Sequence, residues 1–126
     1  MDTMASFEHL LQSCDVGDML DEIASADPPS YLRRCFAEGC SSPTLSWSRV
    51  QELAVCAMVL DSILNNREYE GLEPELVSDW RVHFSHPCSQ MRTIALEALR
   101  HAGEMPAVPA DAAPELAEIE HRLAAA

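Results

Sequence analysis

The chain contains no lysine, and all eight of its basic side chains are arginines. They stand against 21 acids, which leaves a formal charge of −13 over 126 residues. A charge of that size repels phosphate at long range, so nucleic-acid binding is disfavoured. It attracts basic proteins instead, through fast and salt-sensitive encounters. Glycine is also scarce, with four in the whole chain. There is no glycine-rich phosphate loop, no nucleophile elbow and no HExxH, so the strained turns on which many enzyme sites are built have little to form from. Long apolar runs are missing too. The longest, LAVCAMVL at Leu53–Leu60, has eight residues, where a membrane helix needs about 20. The opening MDTMASFEHLLQSCD has acids and no base, unlike the positive start of a secretory signal. These absences predict a cytoplasmic protein that binds neither membrane nor nucleic acid.

Five cysteines, Cys14, Cys35, Cys40, Cys56 and Cys88, are an odd number. Cys56 falls in the most apolar segment, where a free thiol behaves as a small hydrophobe. The set is read as structural thiols in a reducing compartment rather than as a disulfide framework.

The apolar fraction of 48% is enough for a folded core, and the length suits one domain. Its spacing is helical almost throughout. Phe7, Leu10, Leu11 and Cys14 follow the i, i+3, i+4, i+7 rule, and Val16, Met19, Leu20 and Ile23 repeat it. Asp27-Pro28-Pro29 predicts a stop. Leu32, Cys35 and Phe36 mark a short second helix with Gly39 as its C-terminal cap. Ser48 and Gln51 fit a capping box for the next helix. Between Val50 and Leu64 almost no polar face remains, which marks a central, buried helix at about 48–64. Pro74 opens another helix, with Glu73 and Glu75 beside its positive end and Leu76, Val77, Trp80 and Phe84 as the buried stripe. Pro87 opens the following one, with Met91, Ile94, Ala95, Ala98 and Leu99 inward. MPAVPADAAP reads as a flexible Pro/Ala linker at about 104–113 before a last helix through Leu116, Ile119 and Leu123. No strand or hairpin signal appears. The expected fold is all-α: a single-domain bundle of five to seven helices spanning 1–126.

Two groups of residues carry candidate chemistry. His83, His86 and Cys88 lie within six residues and suit zinc or a thiol reaction. Zinc needs a fourth ligand, for which His101, His9 or a distant cysteine would have to serve. The competing reading is a plain helix–helix turn, and neither a cofactor nor an enzyme activity is expected. The second group is EYEGLEPELVSDW, Glu68 to Trp80, with five acids and no base. Glu68, Tyr69, Glu70, Glu73, Glu75 and Asp79 are the candidate partner-binding residues. Tyr69 is read as an aromatic anchor beside the charge. Trp80 is read as core first. Among the arginines, Arg100 is expected to pair with Glu97.

Three pieces in this order, ELAVCAMVLDSIL, GLEPELVSDW and TIALEALRHAGE, resemble a family of uncharacterised small acidic bacterial helical proteins, a domain of unknown function. The resemblance covers residues 50–104. It implies no catalytic residue and suggests a bacterial accessory protein in the setting of toxin immunity. The leading functional expectation is a small acidic protein that neutralises a basic protein partner, as an immunity protein does for a toxin. A phage inhibitor of bacterial defence or a secretion chaperone would share the mechanism. A small metal or thiol enzyme using His83, His86 and Cys88 is the alternative from another class, and a homodimer is the structural one.

Overall fold

The computed structural model describes residues 7–12, 14–69, 71–82, 84 and 89–125, with the backbone alone for Ser89. They form six helices: α1 (Val16–Ser25), α2 (Pro28–Ser41), α3 (Trp47–Asn65), α4 (Pro74–Arg81), α5 (Ser89–Gly103) and α6 (Ala113–Ala124). No strand occurs among the described residues; one isolated bridge joins Tyr69 to Leu72. The all-α bundle expected from the periodicity is the fold observed.

The centre is α3. Val50, Gln51 and every residue from Leu53 to Ile63 are buried. A helix without a polar face must be enclosed, and here α2, α5 and α6 surround it while α4 and α1 close the remaining sides. Its start is two residues earlier than the capping box suggests. Ser46, not Ser48, is the N-cap and accepts from the Arg49 amide. Gln51 does not reach back to a cap. It turns inward and donates to the carbonyls of Leu10 and Gln12 at 3.1 and 2.9 Å.

Those two bonds bear on the N-terminal segment. Residues 8–12 form turns and not the predicted helix, although Phe7 and Leu10 are buried as expected. Their backbone groups find partners elsewhere. Gln51 takes two carbonyls, and the Glu115 carboxylate accepts from the amides of His9 and Leu10. Among the described residues regular helix begins at Val16, where Asp15 caps by accepting from the Asp18 amide at 3.0 Å. The stop expected at Asp27-Pro28-Pro29 holds, with α1 ending at Ser25 and Asp27 extended ahead of Pro28, and the two prolines also open the next helix. They occupy the first two positions of α2, where a missing N–H costs nothing, and Asp27 caps that helix.

Gly39 is not a terminal cap. It lies inside α2, which runs to Ser41. A Cβ there would stand 2.8 and 2.9 Å from the Leu53 methyls and 3.4 Å from the Ala98 Cβ. The glycine lets α2 pass close to both α3 and α5. Leu76 and Ile94, expected in the buried stripes, are only half-buried, whereas Val77, Trp80, Met91, Ala95, Ala98 and Leu99 are buried. Pro87 lies outside the described residues. The Pro/Ala stretch is a run of hydrogen-bonded turns and not an open linker. Ala112 is fully buried, its amide bonds the Pro109 carbonyl, and the Leu45 amide donates to Met105 Sδ at 3.3 Å. Arg100 pairs with Glu120 of α6 at 2.8 Å and not with Glu97. Among the described residues no helix is long and apolar enough to cross a membrane.

One contact makes the fold respond to pH. His9 Nδ1 lies 2.6 Å from Glu115 Oε2 and Nε2 lies 4.0 Å from Asp111. The Glu115 hydrogen bond, with the charges of Asp111, Glu115 and Glu8 adding, raises the His9 pKa above its ordinary value. A raised folded pKa gives stability that is full below the unfolded pKa and is lost as pH rises through the folded one. The stability difference between wild type and His9→Ala is therefore expected to be largest near about pH 5 and to vanish once His9 is neutral. Urea titrations across that range check it. A difference that is flat with pH would contradict the pairing.

Candidate functional site

The acidic stretch leaves the bundle where α3 ends. Asn66 adopts the left-handed conformation (φ 56°) that releases the chain from the helix. Arg81 from the last turn of α4 donates to the carbonyls of Ser62 and Ile63 near the end of α3 at 3.1 and 3.4 Å and to Asn66 Oδ1 at 3.3 Å. A guanidinium at a helix C-terminus meets both the orphan carbonyls and the negative dipole end. The chain turns again through Gly71 (φ 88°), and the Leu72 amide donates to the Tyr69 carbonyl at 3.1 Å. Pro74 then starts α4.

Tyr69 is the fastening between this loop and the core. Its side chain is fully buried, and its hydroxyl donates to the carboxylate of Asp61, itself 0% exposed. The ring sits 5.9 Å from that of Phe7, with the Arg122 guanidinium 5.5 Å from its centroid. Asp61 also accepts from Asn65 Nδ2 at 2.6 Å and lies 3.4 Å from Arg67 Nε. Thus a charge buried in the most apolar helix is met by two hydrogen-bond donors, Tyr69 from the loop and Asn65 at the end of α3, with the Arg67 guanidinium alongside. Burial first, and the Asp61 bond and charge second, hold the Tyr69 phenol well above its ordinary range. The expectation that Tyr69 is an exposed anchor for a partner is therefore corrected: its only large surface is spent inside.

The acids of the stretch behave differently. Glu68, Glu73, Glu75 and Asp79 are all exposed. Among the described residues none of the four enters an ion pair. Glu73 is the N-cap residue of α4, yet its side chain makes no cap hydrogen bond. Glu75 occupies the first turn, where the helix dipole favours it. Glu70 lies outside the described residues. Beside the stretch is a cleft of about 120 Å³ whose lining includes Ser62, Arg67, Glu68 and Arg81. Both arginines are already committed, Arg67 to Asp61 and the Ala125 carbonyl and Arg81 to the end of α3. They stiffen the loop without neutralising the four outward carboxylates.

A second uncompensated surface lies on α1. Asp15, Asp18, Asp21 and Glu22 are exposed. The Asp18 carboxyl is pushed up by the charge of Asp15 and by its bond to it, then by Asp21 and Glu22. Like charges crowd there with no base on the helix. His83, His86 and Cys88 all lie outside the described residues. Among the described ones no group of His, Cys, Asp and Glu is arranged to hold a metal. The two other histidines once available as ligands are occupied, His9 by Glu115 and His101 by the Ser42 carbonyl at 2.6 Å.

Asp61 and Gln51 were the residues that periodicity passed over. The signal was present: each is a polar side chain in a run that is otherwise apolar, and such a residue is buried only with partners. Comparison of the chain with protein-family models, with curated proteins and with solved structures gave no match.

Proposed function

We propose that this chain is a small acidic binding protein that neutralises a basic protein partner, in the manner of an immunity protein that blocks a bacterial toxin. The cytoplasm is its proposed setting. The observation that carries the reading is the set of four exposed carboxylates, Glu68, Glu73, Glu75 and Asp79, on a loop and the short helix α4, which are fastened to the core through Tyr69 and Arg81. A fixed array of unpaired charge loses little entropy when it docks. Its field speeds encounter with an arginine- or lysine-rich surface. Inhibition would follow from occlusion, the carboxylates taking the places of substrate phosphates or acids on the toxin. With Tyr69 inside, affinity rests on charge and shape rather than on an aromatic anchor.

The test begins with the basic protein that co-purifies with the native chain from its source cell. Titration of that protein against the triple variant Glu68→Lys, Glu73→Lys, Glu75→Lys is expected to show binding weakened roughly tenfold or more. Reversal of Glu97 and Glu104, outside this surface, is expected to change little. Wild-type affinity is expected to fall between about 50 and 200 mM salt. An acidic partner, or an affinity indifferent to both the triple variant and salt, sinks the proposal.

A further inference from the structure

Among the described residues three buried side-chain atoms have no hydrogen-bond partner: Ser62 Oγ, Arg67 Nε and Arg92 Nε. Ser62 and Arg67 line the same cleft, the one of about 120 Å³ between the end of α3 and α4. Ser62 is only 2% exposed. Arg67 Nε lies 3.4 Å from Asp61 Oδ1 but forms no hydrogen bond to it. A buried donor without a partner is rare in a folded protein and costs free energy. Two in one cleft call for an acceptor from outside the fold. Arg81 adds a charge to them. It is half-buried, and no carboxylate of the described residues pairs with it. Its bonds to the end of α3 use Nε and Nη2, and the bond from Arg67 to the Ala125 carbonyl uses Nη2. Among the described residues neither Nη1 has a partner. Leu72 and Val77 give the cleft an apolar wall, and Glu68 is the one acid in its lining.

We propose that this cleft is a carboxylate-binding site, which takes a carboxylate carried on a short aliphatic stem. The chemistry of the lining selects the ligand. Unpaired donors require an acceptor, and a guanidinium without a carboxylate favours an anion. The planar fork of a guanidinium matches the two oxygens of a carboxylate. Arg81, Arg67 and the Ser62 hydroxyl donate to those oxygens, and the stem lies against Leu72 and Val77. Volume limits the size. A water occupies about 30 Å³ in the liquid, so about 120 Å³ holds roughly four or five non-hydrogen atoms. Glu68 opposes the anion and keeps its binding weak. Two sources carry such a group: a free small monocarboxylate, and the aspartate or glutamate side chain of a partner protein. The site rests on the cleft itself and not on the proposed partner.

The probe is sodium propionate, titrated into the isotopically labelled full chain against sodium chloride at constant ionic strength and followed by NMR. The amide signals of Ser62, Arg67 and Arg81 are expected to shift saturably, with one dissociation constant in about the millimolar range. Propionamide, of the same size and uncharged, is expected to leave them in place. Ser62→Ala removes a hydroxyl that no described residue uses, so the fold is expected to stand while propionate binds about tenfold more weakly. Glu68→Gln removes the opposing charge and is expected to tighten binding roughly two- to threefold. A second arm separates the sources. Propionate that displaces the co-purified basic partner as it saturates the cleft assigns the carboxylate to that partner. Saturation with the complex intact assigns it to a free monocarboxylate, and either result supports the site. Shifts no larger than those of sodium chloride overturn the proposal, because solvent then meets the unpaired donors. So do equal binding of propionamide, an unchanged affinity in Ser62→Ala, or weaker binding in Glu68→Gln. The first arm uses no partner, so its failure would leave the proposed function untouched.

Discussion

Asp61→Ala is expected to lower the unfolding free energy by roughly 3–5 kcal/mol, the range for breaking a buried ionic contact from one side. The loss has two sources. The Tyr69 hydroxyl and the Asn65 amide lose their shared acceptor, and a buried donor left without a partner keeps its desolvation cost. Arg67, within 3.4 Å of Asp61, is left without its carboxylate. Tyr69→Phe removes one donor only and is expected to cost about 1–3 kcal/mol. Asp61→Leu combined with Tyr69→Phe replaces both ends by apolar groups, and it is expected to cost less than the sum of the single changes. Urea titration of the four proteins measures all of this. If Asp61→Ala unfolded at the wild-type urea concentration, the buried network would not be holding the loop. The same variant carries a functional readout. Freeing residues 66–72 from the core removes the fixed presentation of Glu68, so partner affinity is expected to fall even though no outward acid has been touched.

Gly39→Val is expected to destabilise by about 1–3 kcal/mol through overpacking. The position has no room: the first added carbon already falls 2.8 Å from a Leu53 methyl and 3.4 Å from the Ala98 Cβ. Leu53 ends in flexible methyls and can yield by a few tenths of an ångström, but Ala98 has nothing to rotate. Gly39→Ala tests the balance from the other side. It meets the same methyls, yet it gains about 1 kcal/mol of helix propensity over glycine, so a change near zero is expected. Thermal unfolding of the pair gives the comparison. A valine variant as stable as the alanine one would mean that α2 stands farther from α5 than described.

The parts of this protein legible in the residues were those decided by local spacing and by composition. The helical periods of Leu20 and Ile23, of Leu32 and Phe36, and of Leu116, Ile119 and Leu123 all correspond to buried faces. The apolar run of α3 did the same for the centre of the bundle. Each is a property of neighbours along the chain, so sequence suffices to read it. The misreadings share a different cause. Residues 8–12 look like helix because their apolar spacing is helical, but their backbone is held by Gln51 and by Glu115, the latter more than 100 positions away. Gly39 looks like a cap because glycine often is one, whereas its reason is the approach of Leu53 and Ala98. Arg100 had Glu97 nearby in sequence and found Glu120 across a helix interface.

The acidic stretch shows the same division within a few residues. Sequence alone determined an excess of carboxylates at 68–79, a helix opening at Pro74 and a dipole that favours Glu75. The direction of each side chain in the loop was a tertiary decision. Tyr69 turns inward because α3 buries Asp61, and a buried carboxylate requires a donor that no residue near it in the helix supplies in full. Once Tyr69 is committed to the core, Glu68 beside it is left at the surface. The charge of the surface was written in the chain; its orientation came from one buried acid that had to be satisfied.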